Sequence, residues 1–593
     1  MLKYFNLLIV IILFSSCKKE LEKYPLDTLT SEQAFETEQN LQLYVNSFYP
    51  MLPSAQSVYG EGGGAIQNYY LLGNILSDNT VWDQNNPYLN TGFTSRTAQG
   101  WSWGALRSFN YFLEHYNEAN ISPERKKHFA GIARFFRAWF YYDKVNMFGD
   151  VPWYGHVLTS ADPDLYRARD PRTLVMDSVL ADIDFAVQHV SSVKSPTSTS
   201  ITKWAALALK SRICLYEGTY RKYHTELGLQ NTADKWLKEA ENAAAELMTN
   251  GPYQVHNTGK PNSDYRALFI SSSPVTSEVI LARAFSEGLK VYHNATGFYS
   301  NFGKYQPSLV KRFVNTYLKI DGTRFTDIPN FNSIEFQNEV LNRDARLAQT
   351  IRTPSYRRSD GSVAPPYMAA AAVSGYQVLK FSLDNPAYDL NGQSANAIPL
   401  IRYAEVLLNY AEAKAELGTF TAADWTNTIG LLRKRAGIAD ISMPATLDPY
   451  MQANYYPEIT SIPLMEIRRE RAIELAVEGF RYTDLKRWKK AKLLEKEKDG
   501  IYVPAIGQLL DLNSDGKPDV SFVTATPPNP VAGVYYFRIN NGIAKLSEDT
   551  KGRLLYGLNI IRSFPDFKYL APLPYNDLLM NKNLEQNPGW DKP

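Results

Sequence analysis

IRRERAIELAVEGFRYTDLKRWK, residues Ile467 to Lys489, decides the fold class of this chain. Ile473, Ala476, Val477 and Phe480 recur at helical spacing and make one apolar stripe, inside a pattern that predicts a helix from Pro463 to Trp488. Around the stripe the charges alternate, with Arg471 and Glu474, and Glu478 and Arg481, each three residues apart on helical faces. Glu474 and Glu478 admit two readings. As a pair of acids they would suit glycoside hydrolysis, but an acid catalyst needs a raised pKa and arginine neighbours lower it, so a salt-bridge network accounts for them better.

The same period recurs outward along the chain. Helices are predicted over Trp103 to Asn117, Ser122 to Phe148, Arg172 to His189, Thr202 to Glu217, Asp234 to Thr249, Pro399 to Leu417 and Ala423 to Ala436. Ser122-Pro123-Glu124 is a readable start, with a capping hydroxyl, proline at the first helical position and an acid in the first turn. In the Pro399 segment, Leu400, Tyr403, Ala404, Leu407 and Ala411 line one face, while Val406, Tyr410, Ala413 and Leu417 line another, the pattern of an inner helix packed on both sides. Helical hairpins therefore dominate, without the strict 34-residue period of a regular tetratricopeptide array. The fold class expected is mainly α, a degenerate tetratricopeptide-like helix-pair scaffold over about 35–250 and 399–490. Loop-rich segments 54–100, 252–397 and 493–571 interrupt it, rich in aromatic residues that argue against disorder.

Met1 to Cys17 reads as an export signal. Lys3 is the basic start, Leu7 to Phe14 (LLIVIILF) is an apolar run too short to span a bilayer, and Ser15 and Ser16 precede Cys17 in an arrangement that resembles a bacterial lipobox. Residues 1–16 are then a signal peptide and Cys17 the lipidated N-terminus of a single domain, 17–593. The acyl chains of such a terminus hold a protein to a membrane. Phe14 stands where lipoboxes carry leucine, and the other reading is a plain secretory signal with a chance cysteine. The only other cysteine, Cys214, lies in an apolar helical pattern as a small buried hydrophobe, so no disulfide framework exists. A net charge of +2 gives no general attraction to nucleic acid.

Several blocks carry a resemblance. RFFRAWFYYDKVNMFGDVPW (Arg134 to Trp153), RYAEVLLNYAEAKAELG (Arg402 to Gly418), the opening Ile467 block and YLAPLPYNDLLMNKNLEQNPGW (Tyr569 to Trp590) resemble the characteristic blocks of the SusD/RagB family, with EGTYRKYH (Glu217 to His224) and NRDARL (Asn342 to Leu347) as shorter matches. They come in the family's order and span nearly the whole mature chain. The resemblance implies an outward-facing outer-membrane lipoprotein that captures oligosaccharides or polysaccharides and hands them to a SusC-like TonB-dependent transporter. Peptide cargo, implied by the RagB branch, is the alternative, and a glycoside hydrolase on a helical scaffold a more remote one.

Sugars present C–H faces to aromatic rings and hydroxyls to carboxylates and amides, so a glycan site needs aromatic residues beside Asp, Asn and Gln. The stretch from Tyr69 to Trp101 supplies both. Trp82, in the polar loop SDNTVWDQNN, is the first candidate, with Asp83, Asn85, Tyr88 and Trp101 near it in sequence, and Tyr292 and Tyr299 as a second cluster that could share the face. Trp103, followed by Leu106, Phe109 and Leu113, reads as core. DLNSDGKPD offers Asp511, Asn513, Asp515, the Lys517 carbonyl and Asp519 as candidate ligands of a structural calcium, although Phe522 stands where the closing Glu of an EF-hand belongs. The competing reading is an Asp/Asn-rich turn held by side-chain to backbone hydrogen bonds. No cofactor is required, and HExxH, GxSxG, Walker and GxGxxG signatures are all missing, so a binding protein and not an enzyme is expected.

Overall fold

The computed structural model describes residues 35–53, 76–82, 85–300, 308–369, 372–390 and 392–591. Cys17, Tyr69, Tyr70, Asp83, Gln84 and Tyr305 lie outside them.

A stack of paired helices forms the scaffold: α1 (Glu38–Asn46), α2 (Gly104–His115), α3 (Pro123–Phe148), α4 (Arg172–His189), α5 (Lys203–Tyr223), α6 (Ala233–Asn250), α7 (Tyr403–Glu416), α8 (Ile462–Glu474) and α9 (Arg481–Arg487). Helix α3 packs on α4 and α5 on α6, while α7 lies against α5, α6 and α8. The Ser122 hydroxyl accepts from Arg125 N–H at 3.3 Å to start α3, and Gly149 ends it at φ +78°, where a Cβ would stand 2.9 Å from Leu570 Cδ1. Gly218 allows the α5–α6 approach, because a Cβ there would meet the Leu237 backbone nitrogen at 2.9 Å. Cys214 is buried in α5, where burial pushes its thiol pKa up. One continuous hydrophobic cluster runs from Phe35 to Trp590.

Three predicted helices are corrected. Ile398–Arg402 is a strand, β4, paired antiparallel with β2 (Val279–Arg283), and the helix starts only at Tyr403. All five residues of β4 are buried, so its apolar run is that of a strand covered on both faces. The Ala423 segment is two helices, Ala422–Asn427 and Ile429–Arg435, broken at Thr428, whose hydroxyl bonds back to Asp424 O at 2.6 Å. The opening stretch also breaks between α8 and α9, with Val477 at φ +54° and Gly479 at φ +84° in the left-handed region.

The loop-rich segments carry short strands. β1 (Thr80–Val81) pairs antiparallel with β3 (Ser308–Leu309). β5 (Lys498–Val503), β10 (Gly552–Tyr556) and β9 (Ala544–Leu546) make one three-stranded sheet; β6 (Leu509–Leu510), β7 (Val520–Val523) and β8 (Tyr535–Arg538) make another. Asn587-Pro588-Gly589 is the expected closing turn, with Gly589 at φ +87° and Asn587 Nδ2 donating to Ala571 O at 2.6 Å.

The break after Glu474 changes the charge pairing. The expected neighbours three apart do not pair: Arg471 Nε binds Asp484 Oδ2 at 2.8 Å and Arg481 binds Asp78. Glu474 is instead a buried hub, with Arg402 Nη1 at 2.6 Å, Arg435 Nη2 at 2.5 Å and Arg346 Nη1 at 2.9 Å. Glu478 takes Arg402 Nη2 at 2.7 Å and Lys380 Nζ at 2.6 Å. Burial alone would raise the Glu474 pKa, but three guanidinium groups hold it well below the usual carboxylate range. Such a carboxyl cannot donate a proton at neutral pH, so the salt-bridge reading of this stretch stands.

Candidate functional site

Trp82 follows β1 directly, and the backbone that leads into it is fixed twice. Thr80 opposes Leu309 and Val81 opposes Ser308 in the ladder, while Asp78 N-terminal to it is gripped by Arg481, Nε to Oδ1 at 2.7 Å and Nη2 to Oδ2 at 2.9 Å. Arg312 Nη2 and Lys498 Nζ donate to the Asp78 carbonyl at 3.1 and 3.4 Å. Burial would raise the Asp78 pKa, but Arg481, Arg312 and Lys498 hold it below the ordinary value. Lys498 is pushed well below the usual lysine range by burial, with Arg312 and Arg562 adding to the shift.

The Trp82 ring is half-buried and borders a small hollow with Asn86, Leu494, Ile560, Ile561 and Arg562. Ile561 is 65% exposed at its rim. A half-buried indole and a guanidinium thus share one hollow. Such a set can stack on a sugar face and bond its hydroxyls.

The other candidates separate. Tyr88 is a correction: only 1% exposed, it packs between Phe93, Tyr482, Phe564 and Trp590 and donates its hydroxyl to Lys568 O, so no ring face is left for a ligand. All of these partners but Phe93 come from the C-terminal part of the chain, which no local pattern announces. Tyr299 is corrected for the same reason, fully covered by its packing on Phe298 and Phe381. Tyr292 is half-buried, with its hydroxyl donating to Glu287 O at 3.3 Å.

Trp101 borders a different cleft, of about 530 Å³, and Trp103 borders it too. Trp103, expected in the core, is half-buried: it precedes α2 and meets Trp101 edge to face at 5.3 Å and Tyr154 at 5.7 Å. Tyr154, Tyr166 and Met580 complete the walls from distant segments, a grouping sequence reasoning missed because nothing local joins residues 152–166 to 577–584. Asp577 also borders the cleft; burial raises its pKa, and Lys144 partly offsets this.

Residues 511–519 form a hydrogen-bonded turn. Asp511 Oδ1 accepts from the amides of Asn513 and Ser514 at 3.1 and 2.6 Å, and its Oδ2 from Gly516 N–H at 2.8 Å. Asp515 Oδ1 accepts from Lys517 N–H at 2.9 Å, and Asp519 Oδ2 from Leu512 N–H at 2.7 Å. Burial, with Asp511 and Asp515 adding to it, pushes Asp519 up to about 6. Among the described residues no group of three or more His, Cys, Asp or Glu side chains is placed to hold a metal. The donor set as arranged does not fit a calcium ion, and the turn needs none to satisfy its amides.

Residues 277–590, more than half of the chain, match the model of the SusD family. The chain belongs to that family. Residues 22–215 also match a SusD-like family described as starch-binding and associating with the outer membrane. A SusD-like protein of Formosa agariphila is 24% identical over 510 residues, covering 82% of this chain and 91% of its own. Among solved structures, a SusD-like protein of Bacteroides fragilis superposes with TM-score 0.68 at 21% identity, covering 96% of this chain and all of that one. A SusD-like carbohydrate-binding protein of the same species gives 0.67 at 22%, covering 93% and 99%. The surface glycan-binding protein A of Bacteroides fluxus gives 0.58 at 18%, covering 94% and 100%. These likenesses show the helical SusD fold. Among the described residues no helix is long and apolar enough to cross a membrane.

Proposed function

We propose that this SusD-family protein captures oligosaccharides or polysaccharides at the cell surface and delivers them to a SusC-like TonB-dependent transporter. A lipid on Cys17 would hold it to the outer membrane. The observation that carries the reading is the Trp82 hollow: a half-buried indole beside Arg562, with Ile561 exposed at the rim, on backbone fixed by β1 and the Asp78–Arg481 pair. Stacking on such a patch is shallow and tolerant of chain length, which suits a ligand that must be passed on. The description of a matching family as starch-binding and the names of two structural neighbours, one carbohydrate-binding and one glycan-binding, support it.

Calorimetric titration of the soluble chain without the lipidated cysteine, Lys18 to Pro593, against neutral and acidic polysaccharides and mixed peptides tests the capture step, with Trp82→Ala in parallel. Saturable heat with a glycan class, lost in the variant, supports the reading; heat with peptides alone overturns it in favour of the peptide cargo. Recovery of a β-barrel transporter with the lipidated protein from detergent-solubilised outer membranes tests delivery.

A further inference from the structure

A further concavity, of about 430 Å³, opens where residues 352–368 meet 386–389 and 519–535, and its lining includes an unusual arginine. Arg352 is only 6% exposed, yet no carboxylate among the described residues lies within salt-bridge distance of it. Its Nη1 reaches the Pro365 carbonyl at 3.5 Å, a marginal contact, and its Nε has no acceptor. The neighbouring guanidinium groups are paired: Arg266 with Asp384 at 2.6 Å and Arg358 with Asp389 at 2.7 Å. Arg343 is comparably buried without a carboxylate at its guanidinium, but it donates to the Glu339, Val314 and Tyr317 carbonyls, each at 2.8 Å. Arg352 has neither kind of compensation; its guanidinium faces the Tyr356 ring at 5.5 Å, and desolvation still brings its pKa down to about 10. A buried cation without a counter-charge or well-made hydrogen bonds is unfavourable unless something supplies the missing acceptors.

The cleft also displays two flat rings. Tyr367 is 46% exposed and Tyr535, on β8, is 41% exposed; both border it, with Ser362 and Asp389. Asp389 keeps one carboxylate oxygen, Oδ1, without a donor. Asp519 borders it too, and being a carboxylate it places hydroxyls, not a second anion, on its own side.

We propose that this cleft binds a sugar residue bearing an acidic substituent, a carboxylate or a sulfate ester, with the anion on Arg352 and the ring against Tyr367 and Tyr535. The planar guanidinium offers the paired donors that two anionic oxygens need, and the phenol rings offer faces for sugar C–H groups. The inference rests on the glycan-capture reading and narrows it to acidic glycans.

The test uses the mature chain, Arg352→Gln and Tyr367→Ala, titrated with a uronate oligosaccharide, a sulfated oligosaccharide, a neutral glucan, and the single-anion probes galacturonate and inorganic sulfate. The expected result is tight binding of one acidic oligosaccharide, weakened about tenfold or more by Arg352→Gln and by a smaller factor by Tyr367→Ala, whose exposed ring leaves the fold intact. Uronate alone identifies a carboxylate, sulfated ligand alone a sulfate ester. Acidic binding unchanged in Arg352→Gln, or preference for the neutral glucan, overturns the inference while leaving glycan capture standing. If only peptides bind, glycan capture fails, and the probes decide the cleft separately: galacturonate or sulfate binding lost in Arg352→Gln keeps it as an anion site, and binding that is absent or unchanged removes it.

Discussion

Arg481 grips Asp78 through two hydrogen bonds, Nε to Oδ1 at 2.7 Å and Nη2 to Oδ2 at 2.9 Å, across 403 positions of the chain. The pair ties α9 of the opening stretch to the backbone that presents Trp82. Asp78→Asn leaves the guanidinium buried without its counter-charge, and a loss of about 3–5 kcal/mol in stability is expected from urea unfolding. The Asp78 pKa is lowered in the fold, so its contribution is full above the unfolded carboxylate value and is lost as pH falls through the folded one. The variant should therefore differ most from wild type at neutral pH and converge with it in strong acid; a constant gap down to pH 2 would contradict this.

Glu474→Gln removes the charge that Arg346, Arg402 and Arg435 share. A loss of about 3–5 kcal/mol is again expected, measured by the denaturant midpoint. Neither wild type nor variant should release reducing ends from any polysaccharide it binds. Hydrolysis by wild type that stops in the variant would reinstate the paired-acid reading.

Trp82→Ala should weaken glycan binding at least about tenfold, since loss of one stacked ring removes on the order of 1.5 kcal/mol. Trp101→Ala should change it by less than about threefold, because the Trp101 cleft shares no lining residue with the Trp82 hollow. Isothermal titration of both variants with the same ligand checks the contrast, and the reverse order would move the site to the Trp101 cleft.

Chelation should leave the melting temperature unchanged, because the Asp511 oxygens already accept from the amides of Asn513, Ser514 and Gly516. Scanning calorimetry with EDTA and with added calcium tests this. A stabilisation that saturates with calcium and disappears in Asp515→Asn would show that the turn rearranges to take the ion.

Cys17→Ser should abolish metabolic labelling by palmitate and shift the protein from the membrane pellet to the soluble fraction. Labelling that persists would mean that the lipid is carried elsewhere.

Much of the scaffold was readable before any coordinates. Arg172–His189 was legible end to end, and so were the start and finish of the helix ending at Phe148, because capping, proline placement and a 3.6-residue apolar period are local properties of the chain. The failures share a cause. Pro399–Arg402 reads as the start of the helix that follows because a strand buried on both faces has no alternation to mark it, and its pairing with Val279–Arg283 is not visible at position 399. Aromatic residues in polar loops suggested a ligand face, but the same composition also serves packing, as Tyr88 and Tyr299 show.

The sequence by itself determined the mainly helical class, the family blocks and the order of the elements, since these depend on periodicity and turn chemistry over short spans. Only the tertiary structure decided which charges meet, which rings keep an open face, and that Arg352 is buried without a counter-charge. Those properties arise from contacts between residues hundreds of positions apart, where desolvation and pairing depend on the whole packed environment.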